Sequence, residues 1–273
     1  MIAHGSAFPV AKLALNNSVP PILMASLRMF LVFIILIPFW RFRIPSKKFF
    51  KPLLIFSFSM GVLVYVFMNL SLYHSSIISP IILGSQLAIP FGILASAFIL
   101  KENISKNKWL LILASFIGIF IIFFDPKLNE NYLGLFFASL MALFFGLAQV
   151  YSRQLKELPT SMINASTGIF GFSILMIVSI IIEGDFYNNI EQINMSSWIL
   201  ISYQALIVSL CAHLLMFYLY KFYTVGQIFP FYSLFPIFGI ILSYVTFGEV
   251  PTLMFILGGI IVITSVFLLH KIR

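Results

Sequence analysis

Short polar breaks interrupt this chain at intervals of about twenty residues, and the stretches between them are almost wholly apolar. Ten such runs can be read, near residues 1–15, 21–40, 53–73, 77–100, 109–124, 132–151, 162–182, 198–220, 228–247 and 253–269. A helix that crosses the hydrocarbon core of a bilayer needs about 20 apolar residues. Only 9% of the chain is charged, against about 25% in an average globular protein. So few charges cannot cover a water-facing surface, so much of the surface must face lipid. Barrel strands alternate in character over about 10 residues, whereas these runs are long and continuous. The pattern predicts an all-α membrane protein with ten transmembrane helices. The first run is short: its 14 residues before Leu15 reach only about 21 Å at about 1.5 Å per residue. The expected natural start therefore lies about two turns upstream.

The net charge of +8 could suggest nucleic acid. The charges instead sit in small clusters between apolar runs, as in membrane loops, where basic residues set orientation. With the N-terminus inside and ten crossings, 13 of the 16 basic residues fall on the inner side, among them Arg41, Lys101, Arg153, Lys221 and Lys271. Lys12, Arg28 and Lys127 remain on the other side, with most of the acidic residues. Both termini are thus expected in the cytoplasm, with the protein multi-pass in a bacterial plasma (inner) membrane. One cysteine, Cys211, excludes an internal disulfide or a cysteine-rich metal site, and no cofactor is expected. No GxxxxGK[ST] sequence is present to support an ATP-driven pump.

The two halves of the chain resemble each other. Phe91-Gly92-Ile93, Ser96 and Glu102 recur as Phe238-Gly239-Ile240, Ser243 and Glu249, at a constant offset of 147. Pro90 and Pro236 precede these sets, and Gly5 with Lys12 matches Gly146 with Arg153. Each half holds five runs, so two copies must lie in the membrane with opposite topology. The expected domains are residues 1–125 and 131–270, two inverted five-helix repeats. Such repeats characterise secondary transporters, in which a pseudo-two-fold axis provides two gates around one site.

Gly5-Ser6-Ala7-Phe8 with Lys12, then Pro21 and Leu27-Arg28-Met29-Phe30, resembles the first two helices of EamA-type transporters of the drug/metabolite transporter superfamily. The stretches 83–102 and 230–249, each closing on glutamate before another apolar run, resemble the ends of the two EamA repeats. Within the family, 65–102 and 218–269 look most like the O-acetylserine/cysteine exporter branch. The resemblance covers nearly the whole chain. It implies ten helices around a central cavity, and export or exchange of amino acids or related metabolites rather than catalysis. Family members usually carry more apolar residues before the first glycine, often with a tryptophan, where this chain has His4.

Polar groups inside spans are costly and usually face the bundle interior. The third run places Tyr65, Asn69 and Tyr73 on one face of a helix. Gln86 lies about one turn before Pro90; His213 and Tyr232 fall in the eighth and ninth runs; Arg28 lies about two turns inside its helix. Tyr65, Asn69, Gln86, His213, Tyr232 and Arg28 are the candidate substrate-binding residues, and Pro90 and Pro236 the candidate helix breaks. Competing roles remain open. Asn69 and Gln86 could be interhelical glue, His213 a packing residue, and Tyr65 and Tyr232 packing or interfacial aromatics. Arg28 could snorkel to the interface or hold a substrate carboxylate through its planar fork. Ala138, Ala142 and Gly146, spaced by four, read as a close-packing face, with Gly168 and Gly171 a weaker version. No Asp or Glu lies in the middle of a span, which favours a facilitator or exchanger over a carrier driven through a buried acid. His213 is the alternative proton site. The expected partners are a small-molecule substrate and the lipid bilayer, with a homodimer left open and no nucleic acid. The alternatives are an uptake carrier for a nucleotide-like or other metabolite, a channel or receptor, and a membrane-embedded enzyme.

Overall fold

A computed structural model describes residues 1–39, 46–128, 131–212, 215 and 234–271. These residues form ten apolar helices: α1 (Ile2–Gly5, continuing as Ala7–Asn16), α2 (Pro21–Leu36), α3 (Lys47–Tyr73), α4 (Ser79–Ile99), α5 (Lys106–Phe123), α6 (Tyr132–Gln154), α7 (Thr160–Ile182), α8 (Met195–Ala212), α9 (Phe235–Phe247) and α10 (Leu253–Lys271). Six of them, α3 to α8, are long and apolar enough to cross a bilayer, and α2, α9 and α10 are shorter apolar helices. The protein is an all-helical membrane protein. Large apolar side chains such as Phe98, Leu110, Phe120, Ile181 and Leu253 lie on the outside, where only lipid could cover them.

Local chemistry sets the helix ends. Pro21 stands in the first turn of α2, where its missing N–H costs nothing. Ser105 and Asn194 accept backbone N–H bonds at the starts of α5 and α8. Gly248 closes α9 in the left-handed conformation, at φ +69°, which a side chain would strain. That turn directs the next residue, Glu249, across to the start of α4. α3 begins at Lys47, six residues before the apolar run; the basic residues there belong to the helix and not to a loop. The break before α8 likewise contains a short helix, Phe186–Glu191.

The helices pair as a two-fold relation between the halves requires. α2 packs on α7, α5 on α10, and α4 on α9. α6 of the second half packs on α3 and α4 of the first, while α1 of the first packs on α8 and α9 of the second. Close backbone approaches fall at the matched glycines, among other crossings. A Cβ on Gly5 would lie 2.8 Å from the Gly239 nitrogen, and one on Gly146 would lie 2.6 Å from the Gly92 nitrogen. No side chain fits at either crossing. Ala138 and Ala142 are fully buried on the same face of α6 as Gly146, and Gly84 of α4 meets the Ala138 methyl. The close-packing role expected for this stripe is where it lies. Gly168 and Gly171 do the same on α7, against the backbones of α2 and α3.

The end of the bundle where the even-numbered helices begin is tied by carboxylates. Glu183, at the end of α7, accepts the N–H groups of Ile22 (2.6 Å) and Leu23 (2.8 Å) at the start of α2. Glu249 accepts those of Ile78 (2.5 Å) and Ser79 (2.9 Å) at the start of α4. Asp125, after α5, accepts from the Thr252 hydroxyl before α10. Each anion sits at the positive end of a helix dipole.

Candidate substrate site

The first half of α2, from Ile22 to Met29, is buried on every face. Arg28 lies at its middle and is 3% exposed. The side chain is enclosed by neighbouring helices. The guanidinium lies over the Tyr65 ring of α3, 4.3 Å from its centroid. Its Nε donates to Ser209 Oγ of α8 at 2.9 Å. Its Nη1 is buried with no hydrogen-bond partner. The two salt bridges among the described residues are Lys48–Glu157 and Arg153–Glu102, so neither supplies Arg28 with a counter-ion.

This is an expensive arrangement. An arginine at the centre of a spanning helix costs about 2.5–3.5 kcal/mol on insertion scales. A desolvated cation–π contact returns about 2 kcal/mol, and a hydrogen bond to a charged group about 1.5–3 kcal/mol. The contacts with Tyr65 and Ser209 can therefore hold the charge in place. They still leave donor capacity unused, and a planar fork with free N–H groups suits a carboxylate or phosphate.

The two helices flanking Arg28 share an irregularity. α3 contains a π-helical segment at Ser59–Leu63, and α8 contains one at Gln204–Ala212. Such segments widen the backbone spiral and re-aim side chains, often at functional sites. Tyr65 follows the first segment closely and Ser209 lies within the second. Repeat-related helices thus carry matching distortions on either side of the same cation.

The other candidates divide. Asn69, one turn along α3 from Tyr65, is buried and donates to the Pro21 carbonyl at 2.8 Å, while its Oδ1 has no partner. It ties α3 to the start of α2 and keeps a free acceptor. Tyr73, on the same expected face, is instead exposed and lines a cavity of about 460 Å³ with Leu15, Pro20, His74 and Glu183. Gln86 is buried with a partnerless Oε1, in a 3-10 turn at Ser85–Leu87 just before Pro90. That turn packs on α6 and α10, and Gln86 makes no hydrogen bond to Arg28, Tyr65 or Asn69. Pro236 is buried in the first turn of α9. His213 and Tyr232 lie outside the described residues.

Two polar contacts join α1 to α8 that the candidate set lacks. Gln204 Nε2 donates to the Ala7 carbonyl at 2.5 Å and leaves its Oε1 without a partner. Ser6 Oγ and the Tyr203 hydroxyl lie 2.9 Å apart. The signal in the sequence was Gln204, a polar residue of the eighth run beside Tyr203. Among the described residues no group of His, Cys, Asp and Glu could hold a metal ion.

The sequence matches the EamA-like transporter family over residues 1–124 and again over 132–270. The chain belongs to the EamA-like transporter family. It is therefore a secondary transporter of small molecules, multi-pass in a membrane, and not an enzyme. The EamA match leaves the branch within the family open. No curated protein matches the sequence. A solved crystal structure superposes on this EamA chain with a TM-score of 0.60 at 16% identity, covering 97% of this chain and 93% of that one. That likeness shows the fold alone, the double-domain arrangement of helices described above.

Proposed function

We propose that this protein exports or exchanges small metabolites that carry a carboxylate, amino acids or close derivatives, by alternating access, and that Arg28 holds the carboxylate. The observation that carries the reading is the buried guanidinium with a partnerless Nη1 between Tyr65 and Ser209. A fixed cation at the centre of the bundle selects for an anionic group. The free acceptors on Asn69 and Gln204 suit an ammonium or other donor on the same ligand.

A facilitator or exchanger fits better than a carrier driven through a buried acid, because the carboxylates at mid-chain positions serve helix ends. The acidic helix-start end faces outward and both termini face the cytoplasm, as the placement of basic residues requires. Metabolite profiling of cells with and without the protein, inside and outside, tests the substrate class. The proposal expects carboxylate-bearing metabolites to shift between the compartments. Enrichment confined to cationic or uncharged metabolites would contradict it, and so would transport in vesicles that strictly requires a proton gradient.

A further inference from the structure

We infer that the cavity beside the start of α2 is a second ligand site, separate from Arg28, which binds a small organic ammonium with a hydrocarbon body. The cavity measures about 460 Å³, within the range of about 300–1,000 Å³ that small-molecule sites occupy. Its walls come from the link between α1 and α2 with the first turn of α2, from the end of α3 and from the end of α7. Further along, α3 and α7 touch directly: a Cβ on Gly171 would lie 2.5 Å from the Gly61 carbonyl oxygen. At the cavity the start of α2 is bonded to both of them instead, to α3 through Asn69 and to the end of α7 through Glu183.

The lining decides the chemistry of the ligand. Glu183 supplies an anion. The groups it accepts from, Ile22 N, Leu23 N and Ser179 Oγ, are neutral, so they fix the carboxylate without cancelling its charge. Tyr73 supplies an exposed ring to the same cavity. His74 stands edge-on to that ring, with centroids 5.1 Å apart, and its other neighbour is the Phe137 ring of α6 at 5.7 Å. Leu15, Pro20, Pro21 and Leu70 make an apolar wall. An anion beside an aromatic face attracts an ammonium, and the wall receives the hydrocarbon attached to it. A carboxylate or phosphate would meet the charge of Glu183, and an inorganic cation would leave the wall unused.

The walls are in place before a ligand arrives. Asn69 Nδ2 donates to the Pro21 carbonyl at 2.8 Å, and Glu183 holds the next two backbone N–H groups at 2.6 and 2.8 Å. Ser18, also in the lining, holds φ at +62°. Residues with a side chain seldom adopt that conformation, and it persists where the surroundings impose it, binding sites among them. Arg28 lies six residues beyond Ile22 on α2, about 9 Å along the axis at about 1.5 Å per residue, and it is buried. The cavity and the guanidinium are therefore distinct sites with opposite preferences in charge.

The test needs no transport, so its outcome is separate from whether Arg28 binds a carboxylate. Ser18→Cys in a Cys211→Ser background places one thiol at an exposed position in the lining, and its rate of modification by a maleimide is followed in the purified, detergent-solubilised protein. Benzylamine should slow the reaction saturably, about tenfold at about ten times its half-protecting concentration, since only the unliganded fraction reacts. Benzyl alcohol and benzoate, the same ring without charge and with the opposite charge, should change the rate less than about twofold at that concentration. Glu183→Gln should abolish the protection, Tyr73→Leu should weaken it, and Arg28→Met should leave it intact. Equal protection by all three compounds, protection by none, or full protection in folded Glu183→Gln overturns the inference. Loss of protection in folded Arg28→Met overturns it too, because the amine would then depend on the central site. Should Glu183→Gln fail to fold, Tyr73→Leu, at an exposed position, decides: undiminished protection there overturns the site.

Discussion

Arg28 concentrates the energetic tension of the molecule in one side chain. It is a permanent charge placed where a charge is costly, held by a ring face and one hydroxyl. Methionine, of similar length and uncharged, removes the cost of the buried charge, and buried charges are often replaceable by apolar residues without loss of stability. Arg28→Met is therefore expected to keep or raise the melting temperature while flux falls at least tenfold. Arg28→Lys should recover little, because a point charge does not reproduce the bidentate fork. A large loss of thermal stability in Arg28→Met with normal flux in the surviving protein would assign the residue to structure. Tyr65→Phe, which keeps the ring face, should transport nearly as well as the parent, and Tyr65→Leu should not. The importance of Arg28 was legible as a charge inside an apolar run. Its burial was not, because burial depends on α3 and α8 closing around α2.

Charge at the helix ends serves two demands that conflict at one end and agree at the other. The even-numbered helices begin at one end, and Glu183, Glu249 and Asp125 sit at their starts. The odd-numbered helices begin at the other end, where Lys47 and Lys48 open α3 and Lys106 and Lys108 open α5. Cations at helix starts oppose the dipole by a few tenths of a kcal/mol to about 1 kcal/mol, and the orientation rule for membrane loops prevails. Glu157 at that end is held below the usual carboxylate range by its hydrogen bond to Lys48 and by that charge. Any stabilisation from this lowering is present above the ordinary carboxylate range and is lost as pH falls through the lowered value. Both side chains are more than half exposed, so the pair is screened. Glu157→Gln should leave the melting temperature unchanged at neutral pH; a clear drop would show a burial the structure lacks. The glycine crossings behave oppositely. Gly146→Leu would force α6 off α4 where backbone atoms already meet, and overpacking of this kind costs about 1–3 kcal/mol or more. Size-exclusion and thermal-melt measurements should show misassembly, whereas Leu143→Ala on the exposed face of α6 should not.

The spans were readable from hydropathy because a lipid-facing helix must stay apolar along its length, even where, as in α2, it is shorter than the others. The irregular turns inside them were not. The π segments of α3 and α8 and the 3-10 turn of α4 arise from a choice of backbone partner that neighbouring helices settle. Pro90 marked the last of these; nothing comparable marks the two π segments. The start of α3 was placed late for a related reason. Apolar length reports where lipid begins, and a helix continues past that point when its residues favour it, as Lys47–Lys51 do.

For the whole molecule, the repeat converts a small set of contacts into a machine with two ends. The crossings at Gly5–Gly239 and Gly92–Gly146 are related by it. A reporter fused after Lys271 should read cytoplasmic, which would set the end tied by Glu183, Glu249 and Asp125 outward; a periplasmic reading would reverse that assignment. The most direct test of the account is counterflow in proteoliposomes, using a carboxylate-bearing metabolite whose distribution the protein alters in cells. The account predicts saturable uptake that accelerates when the same metabolite is loaded on the opposite side, and loss of both uptake and acceleration in folded Arg28→Met. Unsaturable flux indifferent to the opposite side, or full counterflow in Arg28→Met, would contradict it.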